Sequence, residues 1–217
     1  MSYFYRNARD PVSSFTHYIG MCLAMTGCMI MMFKGIQINA AIPKLICCII
    51  FGISLVALYA ASTLYHFYKG SDKVLLRLRK LDHSFIYVLI AGTYTPIVIH
   101  CMPTVRAAVF LSVMWGFAAA GIIFKLFCMN APRWLYTSIY LLMGWSVMFD
   151  FNAFGTLEAG CLRLVAAGGI AYSIGAAFYI AKRPKMINGI GFHEIFHIFI
   201  MIGSLFHYMA VFRYVLC

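Results

Sequence analysis

The sequence is short of charge, and shortest of negative charge: six of its 217 residues are Asp or Glu, charged residues make up 11% of the chain, and 64% are hydrophobic. That balance excludes an ordinary soluble domain. Proline is scarce as well, with six residues, so apolar runs extend for many turns without a helix breaker. The eight cysteines include no Cys-x-x-Cys pair and mostly fall inside apolar runs. A thiolate metal site is therefore disfavoured against small hydrophobes packed in a bundle. No stretch alternates apolar and polar residues over about ten positions, as the strands of a membrane barrel do. No internal repeat, low-complexity segment or domain boundary is evident, and the first apolar run ends in no small-residue cleavage site.

What is present is a series of apolar runs of about 20 residues, each long enough to cross a hydrocarbon layer roughly 30 Å thick. They lie at 14–34, 44–67, 81–100, 106–127, 134–152, 163–182 and 191–213. The expectation is an all-α membrane protein, one seven-transmembrane-helix domain covering residues 1–217. Net charge is +11, but the positions of the charges explain it without nucleic acid. Twelve of the 17 Lys and Arg precede the first run or fall in the second, fourth and sixth connections, and the remaining five sit on the other side. The positive-inside rule then puts the N-terminus in the cytoplasm and the C-terminus outside, in the inner (plasma) membrane. The basic 69–80 stretch reads as a loop facing anionic headgroups. Pro96 should bend the third helix, with Thr93 or Thr95 able to satisfy a freed carbonyl. Ala167, Ala171 and Gly175 form a small-residue stripe for close helix packing. Asp150 and Glu158 read as solvated groups at the outer face.

The chemistry-bearing residues gather at one depth. His193 and His197 stand at positions i and i+4 of the last helix, on one face, where they can hold one metal ion. Topology brings His66, at the end of the second helix, and Asp82 with His83, at the start of the third, to the same cytoplasmic level. Ser62 lies one turn beneath His66. Zinc takes neutral imidazoles, and a catalytic site pairs three protein ligands with an open position. His66, His193 and His197 supply that number, with Asp82 as proton acceptor and Ser62 as a group that holds an imidazole or polarises a substrate carbonyl. His207, about 21 Å beyond His193 along the helix, cannot join them. His17 is at the right depth, and the sequence leaves its direction open.

The segments Phe15 to Gly20, Ala61 to His66, Leu81 to His83, Leu89 to Pro96, Met143 to Trp145, Ala167 to Tyr172, and His193 with His197 and His207 together resemble the bacterial hemolysin III family over nearly the whole chain. That family is similar to the progestin and adipoQ receptor family, which includes the adiponectin receptors, and to the alkaline ceramidases. The resemblance implies seven helices and zinc on His66, His193 and His197, with Ser62 and Asp82 in support. It further implies hydrolysis of a ceramide-like lipid amide or ester, or a part in membrane lipid homeostasis, with membrane lipids as partners. Three rivals stand beside it. One is a non-enzymatic sensor of lipid state, and one is the pore-forming cytolysin that the family name suggests. The third is an intramembrane metalloprotease reading His193, Glu194 and His197 as His-Glu-x-x-His with Glu194 as general base.

Overall fold

A computed structural model describes residues 1–129, 131–185 and 190–217 of the chain, and no β-strand occurs among them. A short helix α1 (Ser2–Asn7) precedes α2 (Pro11–Gln37), α3 (Ile42–Phe67), α4 (Asp72–Cys101) and α5 (Thr104–Phe127). Then come α6 (Arg133–Gly144), a tight helical turn at Ser146–Asp150, α7 (Phe151–Phe154), α8 (Ala159–Ala181) and α9 (Phe192–Ala210), which ends in a wide turn at Val211–Val215. Pro11 and Pro43 sit in the first turns of α2 and α3, where a missing N–H leaves no intrahelical bond unmade. Six helical stretches are long and apolar enough to cross a membrane, the last being Phe192–Val215. The chain is a multi-pass membrane protein.

Consecutive long helices pack as neighbours, α2 on α3, α3 on α4, α4 on α5 and α8 on α9, and α9 closes back onto α2. Helix α4 stands in the middle, with α3, α5 and α6 against it. It buries residues on nearly all sides from Ala91 to Val98, as a helix enclosed by others should. Close approach depends on glycine at chosen points. A Cβ on Gly121 would lie 2.4 Å from the Tyr87 ring, and one on Gly92 would lie 2.5 Å from Ser54 Oγ. The α8 stripe works in the same way, but one residue along from the expected start: Gly168, Ala171 and Gly175 are the buried members, with Gly168 against His207 and Gly175 against Phe199.

Several expectations need correction. The basic 69–80 stretch is a loop only to Ser71, because Asp72 onward is already the first turn of α4. Thr93 and Thr95 hydroxyls donate to Leu89 O and Ala91 O, four residues back, rather than to the Gly92 carbonyl that Pro96 leaves without its donor. Asp150 accepts from both Nε and Nη2 of Arg106 and caps Ala153 N, so it is ion-paired rather than merely solvated. Lys125, expected to flank a connection, is fully buried, its Nζ 3.2 Å from the centre of the Tyr136 ring.

The largest departure is at 134–152, which is no single helix. α6 ends at Gly144, and the chain continues through the tight turn into α7. A break inside hydrocarbon frees backbone groups that lipid cannot satisfy. Tyr94 repairs it from α4: its hydroxyl donates to Gly144 O at 2.6 Å and accepts from Val147 N at 3.0 Å. The broken segment follows α4, with Tyr140 Oη donating to His83 O and Thr156 Oγ1, which donates to Ala153 O at 2.7 Å, lying 3.4 Å from Cys101 O.

Replacing Gly121 with Val should force Tyr87 off α5 and lower stability by about 1–3 kcal/mol, the usual cost of overpacking. Gly116, whose added Cβ meets no atom within 4 Å, should accept Ala without loss. Thermal unfolding in detergent micelles checks the pair.

Candidate metal centre

The end of α3, the start of α9 and the start of α2 meet at one end of the bundle. Asp10 N donates to His66 O at 2.9 Å, and Ser13 Oγ donates to Glu194 Oε1 at 2.7 Å, so the first turn of α2 is tied to both neighbours. Within that junction one ring nitrogen from each of His66, His193 and His197 lies within 4.8 Å of the others. His66 and His193 approach most closely, with their Nε2 atoms 3.2 Å apart.

Asp10 determines what His66 can do. Its Oδ2 lies 2.9 Å from His66 Nδ1, and a carboxylate can only accept, so Nδ1 carries a proton and, in the neutral ring that a metal takes, Nε2 is the lone-pair atom facing His193. A carboxylate behind an imidazole in this way fixes the tautomer and raises the basicity of the ligand nitrogen. Burial pushes the Asp10 carboxyl up, but the hydrogen bonds from His66 and Arg9 outweigh it and hold it at about 2. Asp10 was missed in the sequence because Asp before Pro reads as an ordinary helix start. Here it is indeed the residue before α2, yet its side chain makes no cap bond and serves His66 and Arg9 instead.

His17 points inward. Its ring stacks on His197 with centroids 3.6 Å apart and planes 8° from parallel, and it meets Tyr59 edge-on at 5.2 Å. Neither of its nitrogens has a partner among the described residues. Asp82 is buried beside Ser62 and within electrostatic reach of His66. Asp82 and Ser62 line the same cavity as His193 and His197. All five residues expected at the site are therefore at one end of the bundle.

Glu194 is also there but turned to another task. Oε1 accepts from Ser13 Oγ, and Oε2 accepts from Gly191 N at 2.9 Å, the side-chain half of a capping box at the start of α9. Both oxygens are engaged, so the metalloprotease reading loses its general base.

Three clustered imidazoles, one of them backed by a carboxylate, are a donor set for a transition metal rather than for calcium or magnesium. The cavity that opens from them encloses about 350 Å³ and runs between α4, α6, α8 and α9 to Ile97 and Phe154 near the opposite end. Its wall is overwhelmingly apolar.

The family model described as Haemolysin-III related matches residues 5–208. The Hemolysin-3 homolog of Bacillus subtilis (strain 168) is 34% identical over 208 residues, 94% of this chain and 93% of that protein. Hemolysin-3 of Bacillus cereus is 32% identical over 208 residues, covering 95% and 92% respectively. A heptahelical transmembrane protein of Oryza sativa subsp. japonica is 31% identical over 151 residues, 61% of this chain and 65% of that one.

Removing the carboxylate behind His66 in Asp10→Ala should weaken binding of cobalt(II), followed by its visible spectrum, by about tenfold or more. Glu194→Gln should leave it unchanged while costing about 1 kcal/mol of stability through the weakened cap. Because the folded Asp10 value lies below the ordinary 3.8, its contribution is complete above that pH and is lost as pH falls toward about 2. The stability gap between wild type and Asp10→Ala should close over the same interval.

Proposed function

We propose that this chain, which belongs to the haemolysin-III related family, is a zinc-dependent hydrolase of a lipid amide or ester whose acyl chain lies in the bundle cavity. One observation carries the reading: His193 and His197, whose ring nitrogens converge with that of His66, line a long apolar cavity together with Asp82 and Ser62. His66, His193 and His197 would hold the ion, their nitrogens lying within 4.8 Å of one another and 3.2 Å apart at the closest pair. Three histidines would leave a fourth position for substrate or water.

A zinc ion held there supplies Lewis acidity and a water that ionises near neutral pH. The protein does the rest. Asp82 takes the proton of the attacking water and returns it to the leaving amine or alcohol. Ser62 Oγ donates to the substrate carbonyl and holds it as negative charge develops. His66 is kept in the binding tautomer by Asp10, and the apolar wall aligns the chain while excluding bulk water. Membrane lipids are thus substrate and surroundings at once, in keeping with a role in lipid homeostasis.

The reading includes seven crossings of the inner membrane, with the N-terminus and the histidines on the cytoplasmic side. The broken segment supports the seventh, since it contacts α4 near both ends. The rice relative is named heptahelical. The names of the Bacillus relatives point to lysis, but the apolar cavity wall gives a pore no continuous polar stripe. A lipid sensor would use the same cavity without turnover.

Purified protein should carry zinc, and His66→Ala should lose it. Asp82→Asn should keep the metal while release of fatty acid falls by at least about a hundredfold. No release from any lipid offered to the zinc-loaded protein would leave a sensor and sink the hydrolase. Tags at the two termini should be reached from opposite faces of the membrane; reaching both from one face would refute the odd number of crossings.

A further inference from the structure

Deep in the cavity wall, far from the metal centre, one polar atom has no task in the chemistry above. His207 of α9 lines the cavity and is 93% buried. Its Nδ1 lies 3.0 Å from Gly203 O. A carbonyl only accepts, so Nδ1 carries the proton and Nε2 is left as an acceptor. No hydrogen bond reaches Nε2 among the described residues.

The ring is held firmly in this position. Gly168 of α8 passes so close that a Cβ there would sit 2.4 Å from the imidazole. Tyr172 stacks on the other side, with centroids 5.3 Å apart and planes 21° from parallel. Tyr172 itself is fixed, because its hydroxyl is 3.0 Å from Ser204 Oγ, which also accepts from Tyr59 Oη at 2.8 Å. Three helices therefore co-operate to present one unmatched acceptor to an apolar space.

An acceptor at a cavity wall without a donor forgoes a hydrogen bond worth about 0.5–1.5 kcal/mol. A donor carried by the ligand can meet it. Among groups an acyl chain can bear, a hydroxyl donates while leaving least unsatisfied polarity behind, whereas a ketone, ester or ether offers no proton.

We propose that His207 Nε2 is a recognition site for a hydroxyl group partway along the acyl chain, so that the cavity selects mid-chain hydroxylated lipids. This rests on the acyl-chain reading of the cavity. The position of the hydroxyl follows from geometry. His207 is ten residues beyond His197, about 15 Å along α9. An extended chain advances about 1.25 Å per carbon, from its bond length and tetrahedral angle. The hydroxyl therefore falls at roughly carbons 10 to 14 from the carbonyl held at the histidines.

Displacement of the fluorescent fatty acid cis-parinaric acid from the purified protein in micelles tests this without requiring turnover. 12-Hydroxyoctadecanoic acid should displace the probe at about three- to tenfold lower concentration than octadecanoic acid, the gain of one hydrogen bond. 2-Hydroxyoctadecanoic acid, with its hydroxyl at the wrong end, should show no gain. The preference should vanish in His207→Phe. Equal displacement by the 12-hydroxy and unsubstituted acids in wild type overturns the hydroxyl site and leaves the acyl cavity standing. Retention of the preference in His207→Phe overturns it too. Failure of every acid to displace the probe overturns both this inference and the acyl reading, and the wild-type comparison decides even if the variant does not fold.

Discussion

Two buried imidazole nitrogens 3.2 Å apart repel through their lone pairs unless a proton or a cation lies between them. His66 Nε2 and His193 Nε2 are such a pair, and Asp10 removes the easy escape by drawing the His66 proton to the opposite nitrogen. The remaining choices are a proton held between the two rings or an ion shared with His197. Either way, the contact joins α3 to α9, and it persists only because α2 fixes both. Its first turn holds His66 through the backbone, and Ser13 holds Glu194. The site is thus also the clasp that closes the bundle, with the stacked His17 and His197 rings as its inner face.

The cavity beneath has a different origin. A straight helix at 134–152 would fill the space between α4 and α8, but the chain breaks after Gly144, and Gly144, Val147 and Met148 become lining residues. Such a break is stable in an apolar setting only if its free carbonyl and N–H are met, and Tyr94 meets both with one hydroxyl. The rigid centre of the bundle, α4, therefore both supplies Asp82 at one end and keeps the cavity open halfway along. Site and cavity depend on the same helix.

The legible part of this arrangement was what hydropathy and charge determine. Apolar runs gave six of the long helices to within a few residues at most ends, and charge bias placed His66, Asp82 and His193 at one depth before any contact was known. What escaped depended on tertiary distance. Asp10 is 56 positions from His66 in sequence, and nothing local marks it as more than the residue before a proline. Lys125 looked like a loop cation because helix ends usually solvate their charges, yet Tyr136 covers it. The break after Gly144 needs a hydroxyl from another helix, which no local pattern announces. The early start of α4 is hidden because its charged first two to three turns, from Asp72 to Lys80, score as loop on hydropathy alone.

Glu194 shows two sequence rules competing for one carboxylate. His-Glu-x-x-His makes it a base, and a Glu three residues after a helix-capping position makes it a cap. The cap prevails because α9 begins at Phe192, which leaves Gly191 N without an intrahelical acceptor and within reach of Oε2. The same reasoning extends to the other acids. Asp10 serves His66 and Arg9, Asp150 serves Arg106, Asp72 lies in the first turn of α4, and Glu158 immediately precedes α8. Asp82 is the carboxylate left over, buried beside the Ser62 hydroxyl within electrostatic reach of His66, and tied to no cation by a direct ion pair among the described residues. Burying a carboxylate in that way is costly unless its proton traffic is useful, and within the proposed reaction it is the one acid free to exchange a proton with substrate.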